Sequence, residues 1–188
     1  TEQEFYNTPV FSLPSSFLNL QNYSDAITGG QMLQGFWNTF IILVISSAGT
    51  VIIGSMTAYV LSRFNFKFNS FVSSLFLLAA LIPGVSVQVA TFRIVHALGL
   101  FNSIWSNIIL FLGTDIISIY IFLQFLNGIP RDLDEAALMD GASFFQIYAR
   151  IILPLLKPAI ATVLVIKVVA IYNDFYTPFL YMPKKGLG

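Results

Sequence analysis

Residues 36–61 read FWNTFIILVISSAGTVIIGSMTAYVL, twenty-six positions without a charged side chain. A helix needs about 20 mostly apolar residues to cross a hydrocarbon core of ~30 Å, so this stretch has length to spare as a transmembrane helix. It also carries a pattern finer than hydropathy. Ser46, Thr50, Gly54, Ala58 and Ser62 recur every four residues and lie along one face of the helix as a ridge of small side chains. In lipid, where apolar surface alone does not drive association, such a ridge lets two backbones approach closely. It predicts a tight helix–helix contact, within the chain or with a second membrane subunit.

The rest of the chain agrees. Of its 188 residues 56% are hydrophobic and only 10% charged, with a mean hydropathy of +0.80, which excludes an ordinary water-soluble domain. Nine acids balance nine bases, leaving no basic field for nucleic acid. Cysteine is absent, so disulfide frameworks and thiolate metal sites are excluded. Three more spans follow, at about 69–92, 103–127 and 158–181. Pro83-Gly84 predicts a kink in the second, because Pro83 cannot donate to the carbonyl of Ala79. Asp115 interrupts the third; Lys167 and Asp174 lie in the fourth.

The expected fold is therefore all-α, a polytopic transmembrane bundle over 36–182 preceded by an extracytoplasmic loop, 1–35, that contains Pro9, Pro14 and Gly29-Gly30. Lys and Arg concentrate on the cytoplasmic side of membrane proteins. Arg63, Lys67, Arg131, Arg150 and Lys157 flank two connections, against Arg93, Lys184 and Lys185 on the other side, five against three. The first and third connections are thus expected to face the cytoplasm.

An ionisable group in hydrocarbon costs roughly 2.5–3.5 kcal/mol on insertion scales and usually faces protein or water. Asp115 and Lys167 fall at comparable depths, which suggests that they pair. The alternative puts Asp115 at the outer interface while Lys167 snorkels along its stem. Asn173 and Asp174 either line a water-filled path or sit at the interface; with Asp115 and Lys167 they are the candidates for a translocation path. His96 beside Arg93 reads as a solvated residue.

The motifs of phosphate-binding loops, zinc proteases and serine hydrolases are missing from the sequence. One histidine and no cysteine leave little for a metal or a nucleophile–base set. Asp115 and Asp174, the candidates for an intramembrane aspartyl pair, fall at different depths. The expected chain is not an enzyme and holds no metal.

The polar connection between the third and fourth spans, 130–154, is more elaborate than a loop needs to be. Asp132 as N-cap with Glu135 at the third helical position predicts a short helix, Leu133–Met139, ending at Asp140-Gly141. Ser143 and Gln146 form a second capping box, opening a helix that runs to Pro154. Phe145, Tyr148 and Ile152 share a face of it, with Phe144 and Ile151 alongside. Such a helix pair either rests on lipid headgroups or lies in a groove of a soluble partner.

This stretch resembles the EAA loop of binding-protein-dependent ABC importer permeases: E-A-A, three residues, G, nine residues, then I-x-L-P. Glu135, Ala136, Ala137, Gly141, Ile151, Leu153 and Pro154 match at every spacing. Segments 38–43, 58–68, 81–109, 125–145 and 153–163 also look like the carbohydrate-type, maltose-transporter-like branch. YNDFYTPFLYM at 172–182 resembles that branch's Trp-Asn segment, with Tyr172 in place of the tryptophan.

The resemblance implies a type I importer permease whose EAA loop, a cytoplasmic helix-turn-helix, couples to ATPases through Glu135, Ala136, Ala137, Asp140, Gly141, Ile151, Leu153 and Pro154. It implies a second permease subunit, two cytoplasmic ATPase subunits that carry the ATP and Mg, and an extracytoplasmic binding protein delivering a sugar or oligosaccharide. The setting would be a bacterial or archaeal inner membrane. Permeases of this kind have six spans, so the helix before the outer loop and the last helix are expected outside this sequence. An ABC permease for another solute, such as a peptide or phosphate, is the alternative. A channel, a secondary carrier or a purely structural subunit lies further off.

Overall fold

The computed structural model describes residues 21–113 and 115–183. Among them the structure is helical throughout, without a strand. Residues 1–20, which hold Pro9 and Pro14, lie outside the description, as do Lys184 and Lys185. Helix α1 (Gln21–Gly29) leads into α2 (Met32–Arg63), with Gln31 in the left-handed region, φ 51°, at the joint. The described part of the expected extracytoplasmic loop thus holds α1 and the first turn of α2.

The segment expected as the second span comprises α3 (Asn69–Ala80) and α4 (Gly84–Ala97), bent by 99° at the break between them, the geometry of a broken span or of a re-entrant loop. This is far more than the kink expected from Pro83. The residue before a proline is pushed out of helical conformation, and here the chain closes its last turn early, with Ile82 N–H on the Ala79 carbonyl at 3.3 Å, before Pro83 extends and starts α4. Gly99, φ +69°, ends α4 with paired bonds, Leu100 N–H to Val95 O and Gly99 N–H to His96 O, both 3.0 Å.

The third span comprises α5 (Ile104–Leu112) and α6 (Ile116–Asn127). Asp115 does more than interrupt it: its Oδ1 accepts the Ser118 N–H at 3.2 Å and caps α6. The fourth is α10 (Lys157–Asn173) followed by α11 (Tyr176–Tyr181). Asp174 restarts the chain in the same way, taking the Thr177 N–H at 3.0 Å and its hydroxyl at 2.6 Å.

Helix α2 is the spine. Its small-residue ridge turns inward, with Ser46, Thr50, Gly54 and Ala58 buried against α5 and α6. A Cβ on Gly54 would sit 3.3 Å from the Phe122 ring, so that glycine sets the closeness of approach. The contact predicted from the ridge is thus made within the chain. The core runs on through Phe122, Leu126, Ile147, Ile152 and Leu156, joining spans to the connection that follows them.

Candidate coupling site

The connection after α6 folds into an elbow: α7 (Asp132–Met139), then α8 (Phe144–Ile147), a π-helical turn (Tyr148–Ile152) and α9 (Leu153–Leu155). Helix α7 begins one residue earlier than expected. Arg131 occupies its N-cap position and makes no side-chain cap, so the box proposed for Asp132 and Glu135 does not form; both carboxylates instead lie in the first turn, where the helix dipole favours negative charge. Its end matches expectation. Gly141 takes φ +82°, with Ala142 N–H on Ala137 O and Gly141 N–H on Leu138 O, both 3.0 Å, a Schellman closure.

The Ser143–Gln146 capping box is formed in both directions, at 2.8 and 3.3 Å. The helix it opens passes through Pro154 rather than stopping there. A proline ring collides with the carbonyl four residues earlier, here that of Arg150. The wider π turn over 148–152, with Leu153 N–H bonded to Tyr148 O, makes room for it. The chain then bends by 72° at Leu156 into α10.

The elbow's faces differ from expectation in one respect. Tyr148 and Ile152 are buried in the bundle, whereas Phe144 and Phe145 project, with Met139 89% exposed at the corner. The motif residues divide likewise. Glu135, Ala136, Asp140, Gly141 and Pro154 face outward; Ala137 is buried, and Ile151 and Leu153 pack half-buried on the core. One set presents a surface and the other fixes it to the spans.

The fixing is polar as well as apolar. Arg63, at the end of α2, meets Asp134 at 2.8 Å between Nε and Oδ2, with side chains only 8% and 11% exposed. That contact lies off the line of an ideal hydrogen bond and acts as an ion pair. The Arg63 Nη2 also donates to Ile129 O at 2.9 Å, and the Tyr59 hydroxyl donates to Asp134 Oδ1 at 3.4 Å. In return Arg131 donates to Ser62 O at 2.7 Å. Further along, the Tyr148 and Ser55 hydroxyls share a hydrogen bond of 2.8 Å. The rings of Tyr59 and Tyr148 lie 5.6 Å apart, and Phe64 sits edge-on to Phe144 at 4.9 Å.

None of Ser55, Tyr59, Arg63, Asp134 or Tyr148 stood out as a site residue from sequence. The available signal was weak: an arginine closing a span, and an acid directly before Glu135.

The intramembrane candidates also resolve. Lys167 Nζ donates to Asp115 Oδ2 at 3.0 Å, so the pair expected from their depths is made. Asp174 is occupied by Thr177, and Asn173 is exposed beside it. These two do not join the Asp115–Lys167 pair. No group of three or more metal-ligating side chains occurs among the described residues.

Apolar helices folded back on a spine, with a two-helix elbow clamped to its end, define a helical bundle with two helices of membrane-crossing length, or up to four when each bent pair counts as one. Residues 50–188 match the model of the binding-protein-dependent transport system inner membrane component family, and the chain belongs to that family. It is 38% identical over 182 residues, 95% of the chain and 65% of the relative, to the probable starch degradation products transport system permease protein AmyC of Thermoanaerobacterium thermosulfurigenes. With the galactooligosaccharides transport system permease protein GanQ of Bacillus subtilis it shares 38% identity over 76% of the chain and 52% of the relative. For the melibiose/raffinose/stachyose import permease protein MelC of the same organism the figures are 32%, 88% and 60%.

The chain therefore spans between about half and two thirds of the length of these relatives. In fold it is similar to a chain of a bacterial ABC transporter involved in the import of the acidic polysaccharide alginate. The TM-score is 0.81 at 20% identity, over 98% of this chain and 65% of that one.

Proposed function

We propose that this chain forms the membrane-spanning core of a permease subunit in an ATP-driven importer for a sugar or oligosaccharide. A second permease pairs with it, two ATPase subunits carrying ATP and Mg dock on the elbow from the cytoplasm, and an extracytoplasmic binding protein delivers the sugar. The setting is a bacterial or archaeal inner membrane, crossed several times. The sugar class rests on the relatives, whose names describe transport of starch products and galacto-oligosaccharides.

The observation that carries the coupling reading is the divided elbow: an exposed face of Glu135, Asp140, Phe144 and Phe145, backed by the buried Arg63–Asp134 pair. A surface meant only to rest on headgroups needs basic residues on its polar side. Here the exposed acids Asp132, Glu135 and Asp140 outnumber the one exposed base, Arg131, over 131–140, which suits a groove with a basic lip. ATPase closure on ATP then moves the elbow, and the clamp carries that movement into α2. The spans exchange between discrete packings that ATP and loaded binding protein both bias.

The test is to place single cysteines at Glu135, Met139 and Phe145 in the full permease, within intact membranes, and crosslink at short range. Capture of an ATPase subunit from these positions, together with ATP-dependent sugar uptake by the wild type, is the expected result. Uptake that persists on ATP depletion and follows an ion gradient would overturn it.

A further inference from the structure

A hydroxyl inside a helix can bond back to a carbonyl of the preceding turn, which matters most in hydrocarbon, where no water stands in. Ser74, Thr91 and Thr162 do so, at 2.8, 3.0 and 3.0 Å from the carbonyls of Ser70, Val87 and Pro158. Ser47 and Thr50 of α2 do not. These residues are 4% and 2% exposed, and neither hydroxyl has a hydrogen-bond partner among the described residues. Asn107 on α5 is alike: it is 0% exposed, its Oδ1 takes a long bond of 3.4 Å from Ser106, and its Nδ2 has no partner among the described residues.

The three share a neighbourhood. Helices α2, α5 and α10 meet around Ile42, Ile108 and Ile171, and Ser46 Oγ reaches Ile108 O only at 3.5 Å, the limit of a hydrogen bond. Ser47, Thr50 and Asn107 each lie within about one helical turn of that contact along their own helices. The clamped end of α2 differs. Ser55 bonds to Tyr148 at 2.8 Å, Tyr59 donates to Asp134, and Arg63 donates to Ile129 O. Arg63 Nε and Asp134 Oδ2, which also lack a hydrogen bond, face each other as an ion pair. Buried polar groups of α2 are thus paired from Ser55 to the clamp, and unpaired at Ser47 and Thr50.

A buried polar group without a partner is costly and uncommon enough to need a reason. From three of them in one seam we infer that the half of α2 distant from the clamp parts from α5 and α10 during transport and admits water to Ser47, Thr50 and Asn107. The half nearer the clamp stays packed through Gly54 and Phe122. Groups unpaired in the closed seam are hydrated in the open one, which keeps the two packings close in free energy. Apolar side chains in their place would hold the seam shut. The inference goes beyond the importer reading and rests on it only for the nucleotide states to compare.

The chain has no cysteine, so Ser47→Cys, a near-isosteric change, gives this subunit one reporter in the full permease complex. Its reaction with a charged methanethiosulfonate is followed without nucleotide and with ATP and vanadate, in membranes open to the reagent on both sides. Ser118→Cys is the control, since the Ser118 Cβ lies 3.8 Å from where a Cβ on Gly54 would sit. The rate at position 47 changes by about tenfold or more between the two states, and that at 118 stays low in both. Thr50→Val with Asn107→Leu, added to Ser47→Cys, shifts the seam towards closure by about tenfold for each group removed. Labelling at 47 and sugar uptake then fall together, while the thermal midpoint of the complex does not.

In a complex with ATP-driven uptake, labelling at 47 that is absent in both states, or equal in both, overturns the seam and leaves the importer standing. Labelling at 118 that follows position 47 overturns the division of α2 into two halves. Full uptake by the Thr50→Val, Asn107→Leu variant overturns the role of the unpaired groups. State-dependent labelling at 47 without ATP-driven uptake keeps the seam and removes the importer.

Discussion

Gly141 is the one motif residue whose role is purely backbone. Its φ of +82° lies in the left-handed region, and a Cβ there would meet nothing within 4 Å. Only conformational strain opposes substitution, about 1–2 kcal/mol for an ordinary L-residue and less for asparagine. Gly141→Asn is therefore expected to keep substrate-stimulated ATP hydrolysis near wild type. Gly141→Val, β-branched as well as left-handed, should abolish it while the complex still reaches the membrane. Equal loss in both variants would mean that a partner contacts Gly141 directly.

The Asp115–Lys167 pair obeys a different rule, because each charge is tolerated only while the other is present. Removing one leaves an uncompensated charge, with a penalty of about 3–5 kcal/mol for a fully buried pair. Here the side chains are 19% and 12% exposed, so the lower part of that range applies. Asp115→Asn and Lys167→Met should each lower the yield of folded permease, and the double variant should recover most of it. A double variant worse than either single one would show that the two charges act separately.

Among elements, the clamp joins the end of α2 to the elbow, and under the proposed function it is where motion crosses from one to the other. Arg63→Ala strips Asp134 of its cation and Ile129 of its donor, and is expected to destabilise by about 3 kcal/mol or more. Arg63→Lys restores the charge without the planar two-point reach, so assembly should return while uptake per ATP hydrolysed stays low. Measuring both quantities separates a coupling defect from a folding defect; parallel recovery of the two would argue for a purely structural clamp.

Much of the elbow was legible in sequence, because caps and turns are local. Ser143 with Gln146, and Gly141 after Asp140, each announce a helix end within four residues. Asp132 misled because Arg131 already begins the turn, which leaves the acid inside the helix. Pro154 misled because a π turn, set up by packing of Tyr148 and Ile152, absorbs its ring. The Arg63–Asp134 pair was invisible for a plainer reason: hydropathy marks which residues enter the membrane but not which span ends meet.

On the scale of the whole molecule, the contacts fix which ends lie together. Arg131 on Ser62 and Arg63 on Ile129 place the first and third connections at one end of the bundle. Asn102 N–H on Tyr181 O, 2.9 Å, places the second connection with the end of the fourth span. An impermeant thiol reagent should accordingly reach Lys67→Cys and Asp132→Cys from one side of the membrane and Leu98→Cys from the other. Opposite-sided labelling of positions 67 and 132 would contradict this packing. Which side is cytoplasmic follows from the same experiment in oriented vesicles, the charge count favouring the side of Lys67.

Helix α2 is longer than the membrane is thick. Its 32 residues extend about 48 Å at 1.5 Å per residue, against a core of ~30 Å. Because the clamp holds its Arg63 end, any tilt delivered there is magnified along the shaft. A swing of about 10° about that end carries Met32 sideways by about 8 Å. Under the proposed coupling the spine is a lever arm with its fulcrum at the elbow, so that a small displacement at Arg63 becomes a wide excursion at Met32.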